Sequence, residues 1–306
     1  MQYGCRRRLQ SCAIVFHLVY NPAAGRGRAP AALAVATRLL EAARAEYVVL
    51  KTDGPGHATS LAAETPPGAT VVAVGGDGTI HEVVRGLVRD RAANRVLGVL
   101  PVGSGDDFAF ALGLSRTDVH GAVARLLANE PTPVDLPLVN GEPFVNALGV
   151  GFDAEVAYRV ERAPAVLKGL AAYLYAVMVS LGRLKSVDVT VFVDDTEVYS
   201  GASLLVATQN GPRTGGSFLF APPARIDDGS LDVVVAGDLG IFATLTLLPK
   251  VMRGRHLGDP SISTFKGSSV RLEWAEPRYA HADGEALGIG SSFTVSLEPS
   301  ALSVLR

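Results

Sequence analysis

Val71-Val72-Ala73-Val74-Gly75-Gly76-Asp77-Gly78-Thr79 is an apolar run that breaks into a glycine-rich turn. After it, Ile80, Val83, Val84, Leu87 and Val88 recur at helical spacing. The run reads as a covered strand and the segment from Ile80 as an amphipathic helix, which places the turn between strand and helix start. A helix start offers unpaired amides and a positive dipole end, both favouring an anion. Three glycines admit backbone conformations closed to other residues and let a phosphate approach without a Cβ in the way. Thr79 can cap the helix or offer its hydroxyl to phosphate, and Asp77 can hold Mg²⁺ or assist proton transfer. A plain βα connection is the simpler reading, but two consecutive glycines with Asp-Gly-Thr exceed what a connection needs. Neither Gly-x4-Gly-Lys-Ser/Thr nor Gly-x-Gly-x-x-Gly occurs, so the turn is neither a Walker loop nor a Rossmann fingerprint.

Outward from that turn, residues 14–19, 47–50, 70–74 and 96–100 are short apolar runs bounded by turn residues, and 31–45 is an Ala/Leu-rich helix. Alternating strands and helices predict an α/β domain with a parallel sheet. From about Pro131 the pattern changes. Val187, Val189, Val191 and Val193 alternate with Asp188, Thr190 and Phe192, and Asp194-Asp195 then turns the chain towards Val198-Tyr199, as in a hairpin. Residues 203–207, 231–236, 270–274 and 293–297 read as further strands; only 167–181 and 241–253 look helical. The expected organisation is a nucleotide-binding α/β domain over 1–131, with 1–12 a loose leader. A β-rich, mainly antiparallel substrate domain follows over 132–306, and a return of the last residues to the first domain is left open.

A chain of 306 residues is long enough for two domains, and 48% hydrophobic with 19% charged residues suits packed cores. A net charge of −2 gives no basic stripe for nucleic acid. Cys5 and Cys12 both precede the first strand, which argues against a disulfide framework or a zinc cluster and fits a reducing cytoplasm. Arg6-Arg7-Arg8 and the apolar stretch 13–20 superficially resemble a secretion signal, but the stretch is short and contains His17. The run 165–181 is slightly short for a membrane span and holds Lys168, so a buried or interfacial helix is expected.

Several further blocks stand in a fixed order: Asn21-Pro22-Ala23-Ala24-Gly25; Gly75 to Thr79 with Glu82; Leu100-Pro101-Val102-Gly103-Ser104-Gly105-Asp106-Asp107-Phe108-Ala109; Asn210-Gly211-Pro212 with Gly215-Gly216; Asp228-Gly229; and Asp283-Gly284-Glu285. Together they resemble the diacylglycerol kinase catalytic-domain family, particularly bacterial lipid kinases akin to sphingosine and ceramide kinases. The glycine turn alone would not separate these from NAD kinases or phosphofructokinases.

The resemblance implies an NAD kinase/diacylglycerol kinase-like fold and an ATP-dependent, Mg²⁺-dependent kinase acting on a lipid hydroxyl. Diacylglycerol is the first expectation, with sphingoid bases or phosphatidylglycerol behind it. ATP contacts fall on Asn21, Pro22, Ala23, Ala24, Gly25, Thr52, Gly75, Gly76, Asp77, Gly78, Thr79, Ile80, His81 and Ser104. Asp107 and Asp135 would form an acidic network. Asp228, with the backbone of Arg225 and Ser230, would hold a structural Mg²⁺; without the resemblance that loop reads as a surface turn. Glu285 would accept the hydroxyl proton, aided by Asp283, with Asp77 the rival base. The chain departs from the usual pattern at Ser104, where Thr is common, and at Asp106, where Asn is common. Asp106 adds a charge beside phosphate, which costs ATP affinity or recruits another cation. The expected partners are ATP and a lipid drawn from the membrane surface, and a homodimer is left open. A metabolite kinase of the NAD kinase type, or a lipid-binding protein with a degenerate nucleotide site, are the rivals.

Overall fold

The computed structural model describes residues 14–115, 118–162, 164, 167, 170–182 and 185–306. The leader, both cysteines and part of the 165–181 run lie outside these residues.

In the first half, β1 (Val15–Tyr20), β2 (Glu46–Lys51), β3 (Thr70–Gly75) and β4 (Val96–Pro101) pair in parallel in the order β2-β1-β3-β4. All six residues of β3 are buried, because it is central and covered on both faces. The crossovers and flanking helices are α1 (Ala29–Ala42), α2 (His57–Ala63), α3 (Asp77–Leu87), α4 (Asp107–Ala111) and α5 (Val119–Ala128). The face of α3 predicted to be apolar is the one that packs: Ile80, Val83, Val84 and Leu87 are buried against the sheet. From β1 the chain first adds β2 on one side, then returns to place β3 on the other. In open α/β sheets the crevice outside the strand ends at such a reversal is where ligands bind, and here Asn21 and the Gly75 turn meet in it.

The second half holds β5 (Pro131–Val139), β6 (Glu142–Pro143), β7 (Ala147–Gly151), α6 (Phe152–Glu161), α7 (Leu170–Leu181), β8 (Val187–Val193), β9 (Thr196–Gln209), β10 (Leu231–Gly237), α8 (Ile241–Met252), β11 (Ile262–Gly267), β12 (Ser269–Ala282) and β13 (Glu285–Leu305). Its strand pairs are antiparallel. At its far end β13 lies parallel to β4, Ser303 opposite Val96, which makes one continuous sheet of both halves. Two apolar layers flank the second half. Val187, Val189, Val191 and Val193 face a core with Val206, Val233, Val235, Leu272 and Trp274. On the opposite face of β9 and β10, Leu205, Ala207 and Ala236 pack under α6, α7 and α8.

The expected hairpin is present, with Asp194 and Asp195 both at positive φ (47° and 61°), the pair of left-handed residues that a two-residue turn requires. Two features differ from the sequence reading. The second half contains a third described helix, α6, and strands β5, β6, β7 and β11 were not anticipated. In α6 the packed residues Phe152, Val156 and Val160 recur every fourth position, a stripe too narrow to stand out among its polar residues. β5 carries Pro131, Pro133 and Pro137, and over that stretch it pairs with β13 on one side while β6 meets only Leu138 and Val139, so the prolines stand where an edge admits them.

Candidate active site

Three loops at the carboxyl ends of β1, β3 and β4 converge. The Asn21 side chain donates to Thr79 Oγ1 (3.2 Å) and its carbonyl oxygen accepts from the Ala23 N–H (3.0 Å), tying the first loop to the start of α3. Arg28 donates to the Gly103 (2.7 Å) and Gly25 (2.9 Å) carbonyls, so its charge locks two loops together. Gly25, at φ +62°, has no room for a side chain, since a Cβ would lie 1.9 Å from the Val102 carbonyl oxygen. Thr52 is buried beside them, its N–H bonded to the Tyr20 carbonyl (2.9 Å), and Ser104 is exposed at the tip of the third loop.

The glycines of the central turn work differently from the sequence expectation. Gly75, Gly76 and Gly78 all have ordinary negative or extended φ. They are required by close approach: a Cβ on Gly76 would stand 2.9 Å from the Gly103 Cα, and one on Gly75 2.3 Å from the Thr79 side chain. The two glycine turns therefore lie back to back, leaving backbone rather than side chains at the strand ends.

Asp77 sits at this junction. Its carboxylate accepts from the N–H groups of Asp106 and Asp107 (both 2.7 Å), binding the third loop to α3. Burial, with the neighbouring charges of Asp107 and Asp106, pushes its pKa up to about 7 in spite of those amides. Asp106 adopts left-handed backbone (φ +55°), a conformation that Asn and Asp tolerate best, and its side chain accepts from the Gly103 N–H (2.8 Å). Asp107 is buried and paired with Arg213 (2.8 Å), and it accepts the Gly216 N–H with both oxygens (3.0 Å). Arg213 also donates to the carbonyls of Gly105 and Asp106 (2.9 Å each) and stacks over Phe110. It is the residue that the sequence reading passed over. It stands within the Asn210 to Gly216 block, but a lone arginine beside glycines carries no pattern of its own.

The β12–β13 hairpin closes the site from the second half. Asp283 buries its side chain, accepting from the amides of Val145 (2.8 Å), Asn146 (2.8 Å) and Ala147 (3.0 Å) and contacting His81 Nδ1 at 2.9 Å. Burial alone would raise its pKa, but His81 and those amides outweigh it and the net shift is downward. His81 is the complement: burial works against its charged form, yet Asp283 and Glu285 raise its pKa. Beyond the tight turn, Glu285 is exposed, and its carboxylate leans on the central turn: a Cβ on Gly78 would lie 2.7 Å from Oε1. Beside it opens a cavity of about 410 Å³ lined by Tyr158, Arg162, Tyr279, Gly284, Ala286 and Leu287. His281 Nε2 meets Asp153 Oδ2 (3.3 Å) on the cavity floor, where Gly149 leaves room for both.

The remaining expected residues lie elsewhere. The Asp135 carboxylate accepts from the N–H groups of Gly229 (2.7 Å) and Ser300 (2.8 Å), clamping two loops of the second half. Asp228 pairs with Lys266 (2.7 Å) and accepts the Ser230 N–H (3.1 Å), while Arg225 turns to Asp227 (3.2 Å). As arranged, a lysine supplies the counter-charge there that the expected cation would supply.

Comparison with known proteins follows this division of the chain. The family model for the diacylglycerol kinase catalytic domain matches residues 15–139. That for the YegS C-terminal NAD kinase beta sandwich-like domain matches residues 146–306, more than half the chain. A diacylglycerol kinase of Bacillus subtilis (strain 168) is 31% identical over 275 residues, covering 89% of this chain and 90% of that one. The chain belongs to the diacylglycerol kinase family. A Pseudomonas aeruginosa protein named "Probable lipid kinase YegS-like" is 32% identical over 237 residues, covering 77% of this chain and 76% of that one. The crystal structure of a Bacillus anthracis protein provisionally named a diacylglycerol kinase superposes with a TM-score of 0.77 at 27% identity, covering 96% of this chain and 97% of that one. The family's two-part fold, a parallel α/β half joined to a β-rich antiparallel half, is the fold described above.

Proposed function

We propose that this family member is an ATP-dependent lipid kinase that transfers the γ-phosphoryl group to a lipid hydroxyl, diacylglycerol first, giving phosphatidic acid. The observation that carries the reading is the meeting of Glu285 with Gly78. An exposed carboxylate stands over a glycine turn at a helix start, with a cavity of lipid-headgroup size beside it. The name of the Bacillus subtilis relative supports diacylglycerol as acceptor, and the more general name of the Pseudomonas relative keeps another lipid alcohol as the second choice.

In this reading the phosphates lie along the amides of the Asn21 to Gly25 and Gly75 to Thr79 loops. The acceptor hydroxyl sits between the cavity and Gly78. Its oxygen attacks the γ-phosphorus in line, the bond to the β-phosphate oxygen breaks, ADP leaves, and the hydroxyl proton passes to Glu285. Glu285 is favoured over Asp77 as base because Asp77 accepts two short backbone bonds that fix it as the organiser of the turns, whereas Glu285 faces the cavity. Asp283 and His81 hold the hairpin that presents Glu285.

The residues around Asp77 fit a Mg²⁺ ion arriving with the nucleotide. Among the described residues no group of three or more His, Cys, Asp or Glu is placed to hold a metal alone, but Mg²⁺ at a nucleotide needs only one or two carboxylates beside phosphate and water oxygens. The raised pKa of Asp77 marks a carboxylate short of positive charge. Asp77 would hold the ion, which when bound offsets charge on the β- and γ-phosphates. No described helix is long and apolar enough to cross a membrane. In this reading the enzyme is cytoplasmic and draws its acceptor from the bilayer surface.

The test is phosphorylation by the purified protein with γ-labelled ATP and Mg²⁺ across a panel of diacylglycerol, phosphatidylglycerol, a sphingoid base and NAD, read by thin-layer chromatography. Label in phosphatidic acid is expected. Label in another lipid would replace the acceptor, label in NADP would move the chain to the metabolite kinases, and no label at all would leave only a degenerate binding site.

A further inference from the structure

Helix α8 is mostly apolar, with Thr244, Thr246 and Lys250 its polar residues. Its inner face buries Thr244, Leu247 and Val251 in the layer it shares with α6 and α7. Its outer face exposes Thr246 and Lys250 but also large apolar side chains: Phe242 is 87% exposed, Ile241 46%, Leu245 43% and Met252 49%. With Pro249, also exposed, residues 242, 245, 249 and 252 form one stripe at helical spacing, about 15 Å long from the helix rise. A soluble helix normally turns polar residues to water, and a surface patch of this kind marks an interaction site.

Charge identifies the occupant. At the carboxyl end of the stripe stand Lys250, Arg253 and Arg255, all exposed. Lys250 is neutralised by Asp259 (2.8 Å), but among the described residues no carboxylate pairs with Arg253 or Arg255. The nearest acid at the other end is Asp238, ahead of the helix. An apolar stripe bounded by arginines is the pattern of a helix that lies in a membrane interface, its side chains among acyl chains and its cations among anionic headgroups. With 12 residues α8 is too short to span a bilayer.

We propose that α8 docks this protein on anionic membrane surfaces by inserting Phe242, Ile241, Leu245 and Met252, with Arg253 and Arg255 on the headgroups. α8 packs on the same sheet face as α6, and α6 lines the cavity beside Glu285. Docking therefore puts the bilayer on the cavity's side of the molecule. The inference goes beyond the catalytic reading and does not depend on which lipid is phosphorylated.

Flotation with vesicles of phosphatidylcholine, with and without phosphatidylglycerol, tests it in the absence of ATP and diacylglycerol. A failure of phosphoryl transfer therefore cannot be mistaken for a failure of docking. Wild type is expected to float with the phosphatidylglycerol vesicles and to dissociate at high salt. Phe242→Ser with Leu245→Ser should weaken binding by roughly tenfold or more, as expected for withdrawing two apolar side chains from burial. Arg253→Gln with Arg255→Gln should remove the preference for anionic vesicles. Unchanged thermal midpoints, and unchanged phosphorylation of a water-soluble short-chain acceptor, would show that the variants fold. Equal flotation of wild type and Phe242→Ser/Leu245→Ser would overturn the proposal. So would a wild-type dimer in solution that these substitutions convert to monomer, since the stripe would then be an interface between two copies.

Discussion

Asp77 and Asp283 are both aspartates removed from water and both accept backbone amides, yet their acidities move in opposite directions. Asp283 has three amides and His81 around it, and they outweigh burial. Asp77 has amides as well, but the residues that donate them, Asp106 and Asp107, carry carboxylates of their own, and its pKa rises to about 7. The backbone is the same kind of solvent in each case, and the neighbouring side chains decide the sign. The hairpin carboxylate is an anchor, fixed and fully satisfied. The turn carboxylate is left in a site that lacks positive charge, as a place that receives a nucleotide's cation should be.

The comparison can be sharpened by removing its exposed third member. Glu285→Gln keeps shape and removes the proposed proton acceptor, so the transfer rate should fall by about two to four orders of magnitude. Because Glu285 is exposed, the thermal midpoint should hardly move. Assays of kcat beside thermal unfolding would separate the two, and retention of full activity would pass the role of base to Asp77. Asp283→Ala should do the reverse. It strands three buried N–H groups and His81, which should cost on the order of 3–5 kcal/mol of stability. Denaturant unfolding would measure this, and a loss below about 1 kcal/mol would mean that the hairpin is held by other contacts.

These two carboxylates also show what a sequence displays. Only the family resemblance drew both towards the phosphate turn, since an Asp-Gly-Glu turn alone reads as a solvated hairpin; the parallel half was legible because its strands are short apolar runs between glycines and prolines. The turn itself was found for a reason that proved incomplete. Gly75 and Gly76 looked conformationally special, whereas Gly75 is small because the Thr79 side chain stands against it and Gly76 because the backbone of Gly103, some thirty residues away, does. Arg213 escaped for a related reason. Its worth comes from Asp107 and the carbonyls of Gly105 and Asp106, more than a hundred residues earlier. In β5 the prolines hid a strand that they nevertheless permit, since over Pro131 to Pro137 it pairs with β13 on one side and β6 reaches only Leu138 and Val139. Long-range contact leaves no local pattern.

The opposite shifts predict opposite pH responses. The folded pKa of Asp77 exceeds the 3.8 of a free aspartate, so from about pH 4 to about 7 the native state holds more protons than the unfolded chain. Its contribution to stability therefore falls as pH rises through that window and levels off above it. Asp283 acts in the other sense: its contribution is present above the unfolded value and is lost as pH falls through the lowered folded one. At ~1.4 kcal/mol per pH unit the Asp77 window amounts to a few kcal/mol at most. Asp77→Asn should flatten the stability profile between these pH values, leave the acid limb due to Asp283, and slow phosphoryl transfer. A profile identical to wild type would show that Asp77 is ionised in the native state throughout.

The smallest effect concerns a third way of satisfying a carboxylate. Asp228 is held by a lysine, where Asp283 has amides and Asp77 has other acids. Lys266 is about half exposed, so its pair with Asp228 should contribute well under about 1 kcal/mol, and Lys266→Ala alone should shift the thermal midpoint only slightly. Magnesium makes the variant informative. If the 225–230 loop takes a cation, the ion must displace Lys266 from the Asp228 carboxylate, because both seek the same oxygen. Adding Mg²⁺ without nucleotide should then stabilise Lys266→Ala more than wild type, and Asp228→Asn should abolish the difference. Equal responses in all three proteins would assign the loop to the lysine and leave Asp77 as the place where a metal enters.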